Sequence, residues 1–169
     1  MTDFQLRPWR LDDLTNLVRF ANNPLIAANL NNQFPHPYTP EDGEQFIRKN
    51  MEADPTRVFA IEIDGTAAGA SGLHPQADIF CKNLEIGYWL AEPYWGRGIM
   101  TEVVRQMVRY GFGHFDVTRI YARAFGPNIG SQRVLEKAGF TLEARFEKTL
   151  FKNGAFMDEL IYAVRRPNT

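Results

Sequence analysis

Two glycines flank an arginine in the stretch Trp95-Gly96-Arg97-Gly98, directly before a predicted helix, and these residues suggest ligand binding. Glycine has no Cβ atom, so a ligand can come close to the backbone at such positions. The first amides of a helix lack intrahelical partners and carry partial positive charge from the helix dipole. The stretch is therefore a candidate cradle for a phosphate group. The alternative is a tight strand-to-helix turn that holds no ligand.

Two common nucleotide-binding motifs do not match this stretch. The dinucleotide motif requires a third glycine where this chain has Thr101, and it requires an acidic residue at a strand end about 20 residues later. That later position is Thr118, which directly precedes the stretch "RIYARAF", and this stretch contains no acidic residue. The P-loop requires Gly-Lys-Ser/Thr, which the sequence lacks. Neither kind of nucleotide site is indicated.

The composition is typical of a globular protein and excludes several classes of partner. The 169 residues are 44% hydrophobic and 23% charged, enough for one domain with a core. A formal net charge of −1 offers no basic surface for nucleic acid or an anionic membrane. No apolar run approaches the roughly 20 residues of a membrane span, and no signal-peptide pattern is present. The single cysteine, Cys81, excludes an internal disulfide. We therefore expect one cytoplasmic domain over residues 1–169.

The elements around the glycine stretch are predicted to form an α/β domain. Residues 84–90 predict an apolar strand, and residues 99–112 predict an amphipathic helix. The mixed order of elements predicts a sheet that is antiparallel at first, with crossover helices later. The other predicted elements are a strand at 4–10, a helix from Leu11, a short helix at 24–31, a helix from a Thr39-Pro40 cap to Met51, a hairpin turned at Asp64-Gly65, a strand at 119–125, a helix ending at Gly139 and a hairpin turned at Asn153-Gly154.

Three segments of the chain resemble one enzyme family: "FPHPYTPEDGEQFI", "EIGYWLAEPYWGRGIMTE" and "PNIGSQRVLEKAGF". They are similar to the Gcn5-related N-acetyltransferase (GNAT) superfamily, and within it to the RimJ/RimL-like branch of ribosomal-protein N-terminal acetyltransferases. That family's acyl-CoA loop reads Gln/Arg-x-x-Gly-x-Gly/Ala. Gly98 agrees with it, while Trp95 and Met100 depart at its two ends, and a tryptophan at the first position is usual in this branch. The resemblance implies a single-domain GNAT fold, with a mixed, mostly antiparallel sheet, a splayed central strand pair and flanking helices.

The resemblance also implies acetyl-CoA as cosubstrate and no metal. In such enzymes the pantetheine arm pairs with the end of the strand before the loop, and the pyrophosphate lies on loop amides. Asn128 matches the position that hydrogen-bonds the CoA arm, although asparagine is equally suited to cap the following helix. The implied CoA-binding residues are Trp89, Leu90, Ala91, Trp95, Gly96, Arg97, Gly98, Met100, Thr101, Asn128 and Ser131.

The implied chemistry is attack of an uncharged amine on a thioester carbonyl, which the backbone amide near Leu90 would polarise. Glu85 is the candidate base. Strand alternation places it on one face with Gly87 and Trp89, and an apolar strand would let its carboxyl relay a proton through water. The alternative is a strand-end glutamate held in a salt bridge.

The candidate acid is Ser131, three positions after Asn128. Many family members carry a tyrosine at the position of Leu135, and in the resembled branch the serine is the proposed substitute. Tyr88, Tyr94 and Tyr121 are further candidates, with core packing as the alternative for each. His74 and the other histidines are scattered, so neither a zinc site nor a Ser-His-Asp triad is indicated.

The acceptor predicted from the sequence is a protein or peptide N-terminal α-amine. Such an amine has a pKa of about 8, against about 10.4 for lysine, so a larger fraction of it is uncharged at neutral pH without the aid of a base. Phe34, His36 and Tyr38 are candidate acceptor-lid residues, with loop packing as the alternative. Other functions left open are acetylation of a small-molecule amine, a non-catalytic CoA-binding regulatory module and a domain without a ligand. No nucleic-acid or membrane partner is expected, and the protein would be a monomer or a homodimer.

Overall fold

A computed structural model of the chain describes residues 3–168, which form seven strands and five α-helices. The strands are β1 (Gln5–Pro8), β2 (Val58–Ile63), β3 (Thr66–Pro75), β4 (Asn83–Leu90), β5 (Arg119–Phe125), β6 (Thr141–Lys152) and β7 (Ala155–Arg165). The helices are α1 (Leu14–Ala21), α2 (Pro24–Ala27), α3 (Pro40–Asn50), α4 (Ile99–His114) and α5 (Ile129–Lys137). Short 3₁₀ turns lie at Leu11–Asp13, Asp78–Phe80 and Glu92–Tyr94.

The strands form one mixed sheet in the order β1-β2-β3-β4-β5-β7-β6. The pairs β1–β2, β2–β3, β5–β7 and β6–β7 are antiparallel, whereas β4 and β5 are parallel. The β4–β5 ladder runs only from Asn83↔Arg119 to Glu85↔Tyr121, although both strands continue beyond it. A short parallel ladder at this point is what a splayed central strand pair requires. The α/β fold class predicted from the sequence is confirmed.

The chain divides into two compact units, and the first contains the glycine loop. It comprises the chain up to Gly72 together with Tyr88–Ile99. Its core contains Trp9, which follows β1, together with Leu17 of α1, Ile47 of α3 and residues of β2 and β3. Helix α3 begins at a capping box in which the Thr39 hydroxyl accepts from the Asp42 amide, as the Thr39-Pro40 pair predicts.

The second unit comprises Leu73–Gly87 and the chain from Met100 onward. Helix α4 buries Val103, Val104 and Met107 there. At Gly111 an added Cβ would lie 2.9 Å from the side-chain end of Ile120 and 3.2 Å from that of Leu84, so a larger residue would require these side chains to shift. The single domain predicted over residues 1–169 stays a prediction.

Local turn signals in the sequence predict the hairpins correctly. Asp64 and Gly65 have φ of 49° and 75°, and Asn153 and Gly154 have φ of 51° and 78°, which is the conformation of a two-residue type I′ turn. Element ends differ modestly from expectation. The first strand is shorter than predicted, and α4 continues to His114 rather than ending at residue 112. Among the described residues, no helix has both the length and the apolar character needed to span a bilayer.

Candidate active site

The loop between β4 and α4 has the backbone of an open cradle. Gly96 and Gly98 have φ of 73° and 76°, a region that residues with a Cβ atom rarely adopt. A Cβ built at either glycine would meet nothing within 4 Å, so the space above the loop is open to a ligand. The 16-residue helix α4 begins immediately afterwards at Ile99 and directs its first amides toward its N-terminal end. These features fit an anionic phosphate group.

Trp95 connects this loop to the end of β4. Its indole Nε1 donates a hydrogen bond of 2.7 Å to the carbonyl oxygen of Leu90. Trp95 thus fixes where the strand ends and the loop begins, and this role was not predicted from the sequence. The carbonyl oxygen keeps one lone pair for a further donor.

The amide of Ala91 has a protein partner in the same region. It donates a hydrogen bond of 2.7 Å to the carbonyl oxygen of Ala68, so it is not available to a bound pantetheine arm. Ala91 is also fully buried. Contacts of the Trp89 and Leu90 backbone with a pantetheine arm stay a prediction.

Arg97 is exposed, and its guanidinium lies 5.4 Å from the centre of the Tyr94 ring. A cation over an aromatic face at this distance is a favourable contact. Tyr94 also meets Phe20 edge to face, with ring centres 6.4 Å apart. Tyr94 therefore packs beside the loop, in agreement with the packing alternative for this tyrosine.

The two aromatic lid candidates pack together instead of lining an open loop. The Phe34 ring lies 5.2 Å from that of Tyr38 and 5.8 Å from that of Trp89. Tyr38 is only 5% exposed, and burial together with the charge of Asp42 raises the pKa of its phenol to about 12. The packing alternative describes Tyr38 best. His36 is exposed beside them, and its role at an acceptor stays a prediction.

Glu85 lies in a network of charged and polar side chains in the second unit. The Tyr121 hydroxyl donates a hydrogen bond of 3.2 Å to Glu85 Oε2, and Arg123 Nε lies 3.4 Å from Glu85 Oε1. Arg123 also donates a bond of 2.7 Å to Glu159. The salt-bridge alternative for Glu85 is thus realised. The role of Glu85 as a base stays a prediction.

Tyr121 is suited to holding Glu85 in place. Burial and the negative charge of Glu85 raise the pKa of the Tyr121 phenol, so it remains a proton donor at neutral pH. The guanidinium of Arg119 lies 4.5 Å from the centre of its ring. Residues 85 and 121 are directly opposite in the β4–β5 ladder, which is why two residues so distant in sequence meet.

Asn128 caps α5, as one of the two sequence interpretations predicts. Its side-chain oxygen accepts a hydrogen bond of 3.2 Å from the backbone amide of Ser131. A contact with CoA through its remaining atoms stays a prediction, as does the role of the half-buried Ser131 as an acid. Leu135, at the family's tyrosine position, is 0% exposed and belongs to the core.

The described part of the chain offers no candidate metal site. Residues 3–168 contain no group of three or more His, Cys, Asp or Glu side chains that could hold a metal ion. A cavity of about 370 Å³ opens in the second unit. It was not predicted, because its walls come from segments that are distant in the sequence. It is lined by Gln76, Phe80, Asn83, Arg119, Tyr121, Arg123, Phe146 and Ile161.

Comparison with known proteins decides the family. Residues 3–141 match the family model described as an acetyltransferase (GNAT) domain. The chain belongs to the GNAT acetyltransferase family. A curated relative, the "Probable N-acetyltransferase YjcK" of Bacillus subtilis, is 43% identical over 83 residues, which are 49% of this chain and 46% of that protein. The chain thus spans about half the length of this relative.

Two other acetyltransferases match over nearly the whole chain. The spermidine N(1)-acetyltransferase of Escherichia coli is 24% identical over 162 residues, which cover 92% of this chain and 82% of that protein. A solved structure of RimL, a ribosomal-protein α-N-acetyltransferase in complex with coenzyme A, superposes with a TM-score of 0.83. It is 22% identical and covers 98% of this chain and 95% of that one. At this identity the likeness shows the fold alone.

Proposed function

We propose that the protein is an acetyl-CoA-dependent N-acetyltransferase whose acceptor is a primary amine, foremost a protein or peptide N-terminal α-amine. The observation that carries the proposal is the loop with two left-handed glycines at the start of α4. The amides of Gly96, Arg97 and Gly98, followed by those of Met100 and Thr101 in the first turn, would hold the pyrophosphate. The presence of coenzyme A in the RimL structure supports this assignment.

The incoming ammonium loses two protons in the proposed reaction. One is removed before the attack, and the other leaves the nitrogen as the amide forms and ends on sulfur. The amine nitrogen forms a bond to the acetyl carbonyl carbon, the carbon–sulfur bond breaks, and the thiol of CoA is released. Glu85, held in position by Tyr121 and Arg123, would take the first of these protons, directly or through a water, and pass it to solvent. The Leu90 amide would polarise the carbonyl, and Ser131 would position the sulfur or a water.

Glu85→Gln is expected to lower kcat about 100-fold near pH 7, because glutamine accepts the Tyr121 hydrogen bond but cannot take a proton. The loss should be largest at low pH, where the amine is protonated, and should shrink as the pH rises and the amine loses its proton unaided. The measurement is CoA release against pH with a peptide acceptor, together with the dissociation constant of acetyl-CoA, which should be nearly unchanged.

The matched control is Glu147→Gln, which removes an exposed carboxylate on β6. It should leave the profile intact. A Glu85→Gln enzyme with the wild-type pH profile would remove Glu85 as the base.

A small-molecule amine is the second candidate acceptor, because the spermidine N(1)-acetyltransferase aligns with 92% of this chain. A non-catalytic CoA-binding module is the third, because the family's tyrosine is replaced by the buried Leu135. An assay of acetyl transfer separates the three candidates. Transfer to peptides supports the first, transfer to spermidine supports the second, and transfer to neither supports the third.

A further inference from the structure

The cavity of the second unit adjoins the proposed base through two shared residues. Tyr121 and Arg123 line the cavity, and both contact the carboxylate of Glu85. An amine that delivers its proton to Glu85 would therefore lie at the edge of the cavity, with its substituent able to enter. The volume of about 370 Å³ lies in the range of small-ligand pockets, which is roughly 300–1,000 Å³.

Much of the cavity wall is formed by apolar side chains. Phe80, in the turn after β3, is 61% exposed, and Phe146 on β6 is 46% exposed. Ile161 on β7 and the ring of Tyr121 complete the apolar lining. When an apolar group covers aromatic rings that are exposed at a concave site, apolar surface is removed from water, and this favours binding.

The charged side chains in the wall already have partners. Arg119 donates to Glu143 at 2.6 Å and to the Asn83 side chain at 2.8 Å, and Arg123 donates to Glu159 at 2.7 Å. Arg165 shares Glu143, at 3.1 Å. An anionic substituent would have to displace these carboxylates.

A second ammonium, as in a polyamine, would fit no better. It would lie beside two guanidiniums, and the nearby carboxylates of Glu143 and Glu159 are already bound to arginines. Like charges at such distances repel, and burying an unpaired cation is costly. The cavity therefore suits a neutral, apolar substituent.

We propose that this cavity selects the acceptor: a monoamine whose amine-bearing carbon carries an aromatic or branched apolar side chain, such as an N-terminal Phe or Leu residue. The inference rests on the proposed acetyltransferase function and on Glu85 as its base. It assigns Phe80, Phe146 and Ile161 to acceptor specificity. Sequence reasoning assigned no role to any of the three.

The test compares kcat/KM for phenylalanine amide, leucine amide, alanine amide and spermidine. Wild type should favour phenylalanine amide over alanine amide by about tenfold or more, since apolar pocket contacts discriminate by such factors. The double variant Phe80→Ala/Phe146→Ala should lose most of this preference through a higher KM for phenylalanine amide. Its dissociation constant for acetyl-CoA should match wild type.

Two exposed apolar residues outside the cavity serve as matched controls. Ile79→Ala changes the residue beside Phe80, and Phe156→Ala removes an exposed ring from β7. Both should keep the wild-type preference. Thermal unfolding of each variant checks that the fold is retained, which the exposure of all four side chains predicts.

The outcomes separate this inference from the proposed function. Acetylation of all four amines without a side-chain preference, a preference for spermidine, or a preference that survives the double variant would overturn the selectivity role and leave the acetyltransferase function standing. Binding of acetyl-CoA with no transfer to any amine would overturn both. Transfer that favours phenylalanine amide in wild type and the controls but not in the double variant supports both.

Discussion

Gly98→Val is expected to weaken acetyl-CoA binding at least about 100-fold, about 2.7 kcal/mol. Gly98 has φ of 76°, where a β-branched side chain is strained by about 1–3 kcal/mol. The loop would relax to a negative φ, and the amides proposed to hold the pyrophosphate would turn away. The new side chain would also project into the open space above the loop. Calorimetric titration with acetyl-CoA measures the effect.

Gly65→Val supplies the matched control for this prediction. Gly65 has φ of 75° in the β2–β3 turn, and a Cβ there also meets nothing within 4 Å. The two variants carry the same backbone strain, so both should lose stability, but only Gly98→Val should lose acetyl-CoA. Equal dissociation constants for the two variants would show that the glycine loop does not hold the ligand.

Arg7→Met is expected to destabilise the protein by about 3–5 kcal/mol, the usual cost of removing one partner of a buried ion pair. Arg7 is 6% exposed and donates two hydrogen bonds to Asp13, of 2.7 and 2.8 Å. It also bonds to Glu62 on β2. Without it, the Asp13 carboxylate would remain buried beside only the amide of Arg10. Urea unfolding at neutral pH measures the loss.

Arg48→Met tests whether burial is the cause. Arg48 pairs with Glu44 at 2.8 Å, but both side chains are exposed, and such pairs contribute about 0–1 kcal/mol. A similar loss in both variants would contradict the account.

The pH dependence of the Arg7 effect follows from the state of Asp13. Burial raises the pKa of the Asp13 carboxyl, but the hydrogen bonds from Arg7 and from the Arg10 amide outweigh burial and hold that pKa below its ordinary value. A lowered folded-state pKa gives stability that is present above the unfolded pKa of about 3.9 and is lost as the pH falls through the folded value. The gap between wild type and Arg7→Met should therefore narrow on acidification from about pH 7 to about pH 3.

The features that the sequence predicts well are local. The type I′ turn residues, the Thr39-Pro40 cap and the glycines of the loop each determine a conformation within a few residues, and each is found in the structure. The resemblance of three segments to the GNAT superfamily predicted the fold class. These segments occur in the order and at the spacing typical of the family, so the helices and strands around them were expected in the family's order.

The features that the sequence missed depend on long-range pairing. Glu85 meets Tyr121 because of the β4–β5 register, and the cavity gathers residues from the β3–β4 connection and from β4, β5, β6 and β7. Nothing in the local pattern around Phe146 indicates that it lines a cavity with Phe80. Tyr38 follows a proline-rich stretch typical of an exposed loop, yet the ring packs in the core with Phe34. Such contacts are decided by tertiary packing.

The most direct test of the central claim is mass spectrometry of a short peptide with a free N-terminal α-amine after incubation with the protein and acetyl-CoA. We expect one added acetyl group on the α-amine, an equal amount of released CoA, and far less product with Gly98→Val when acetyl-CoA is near the wild-type dissociation constant. A protein that binds acetyl-CoA but acetylates neither this peptide nor spermidine would contradict the account.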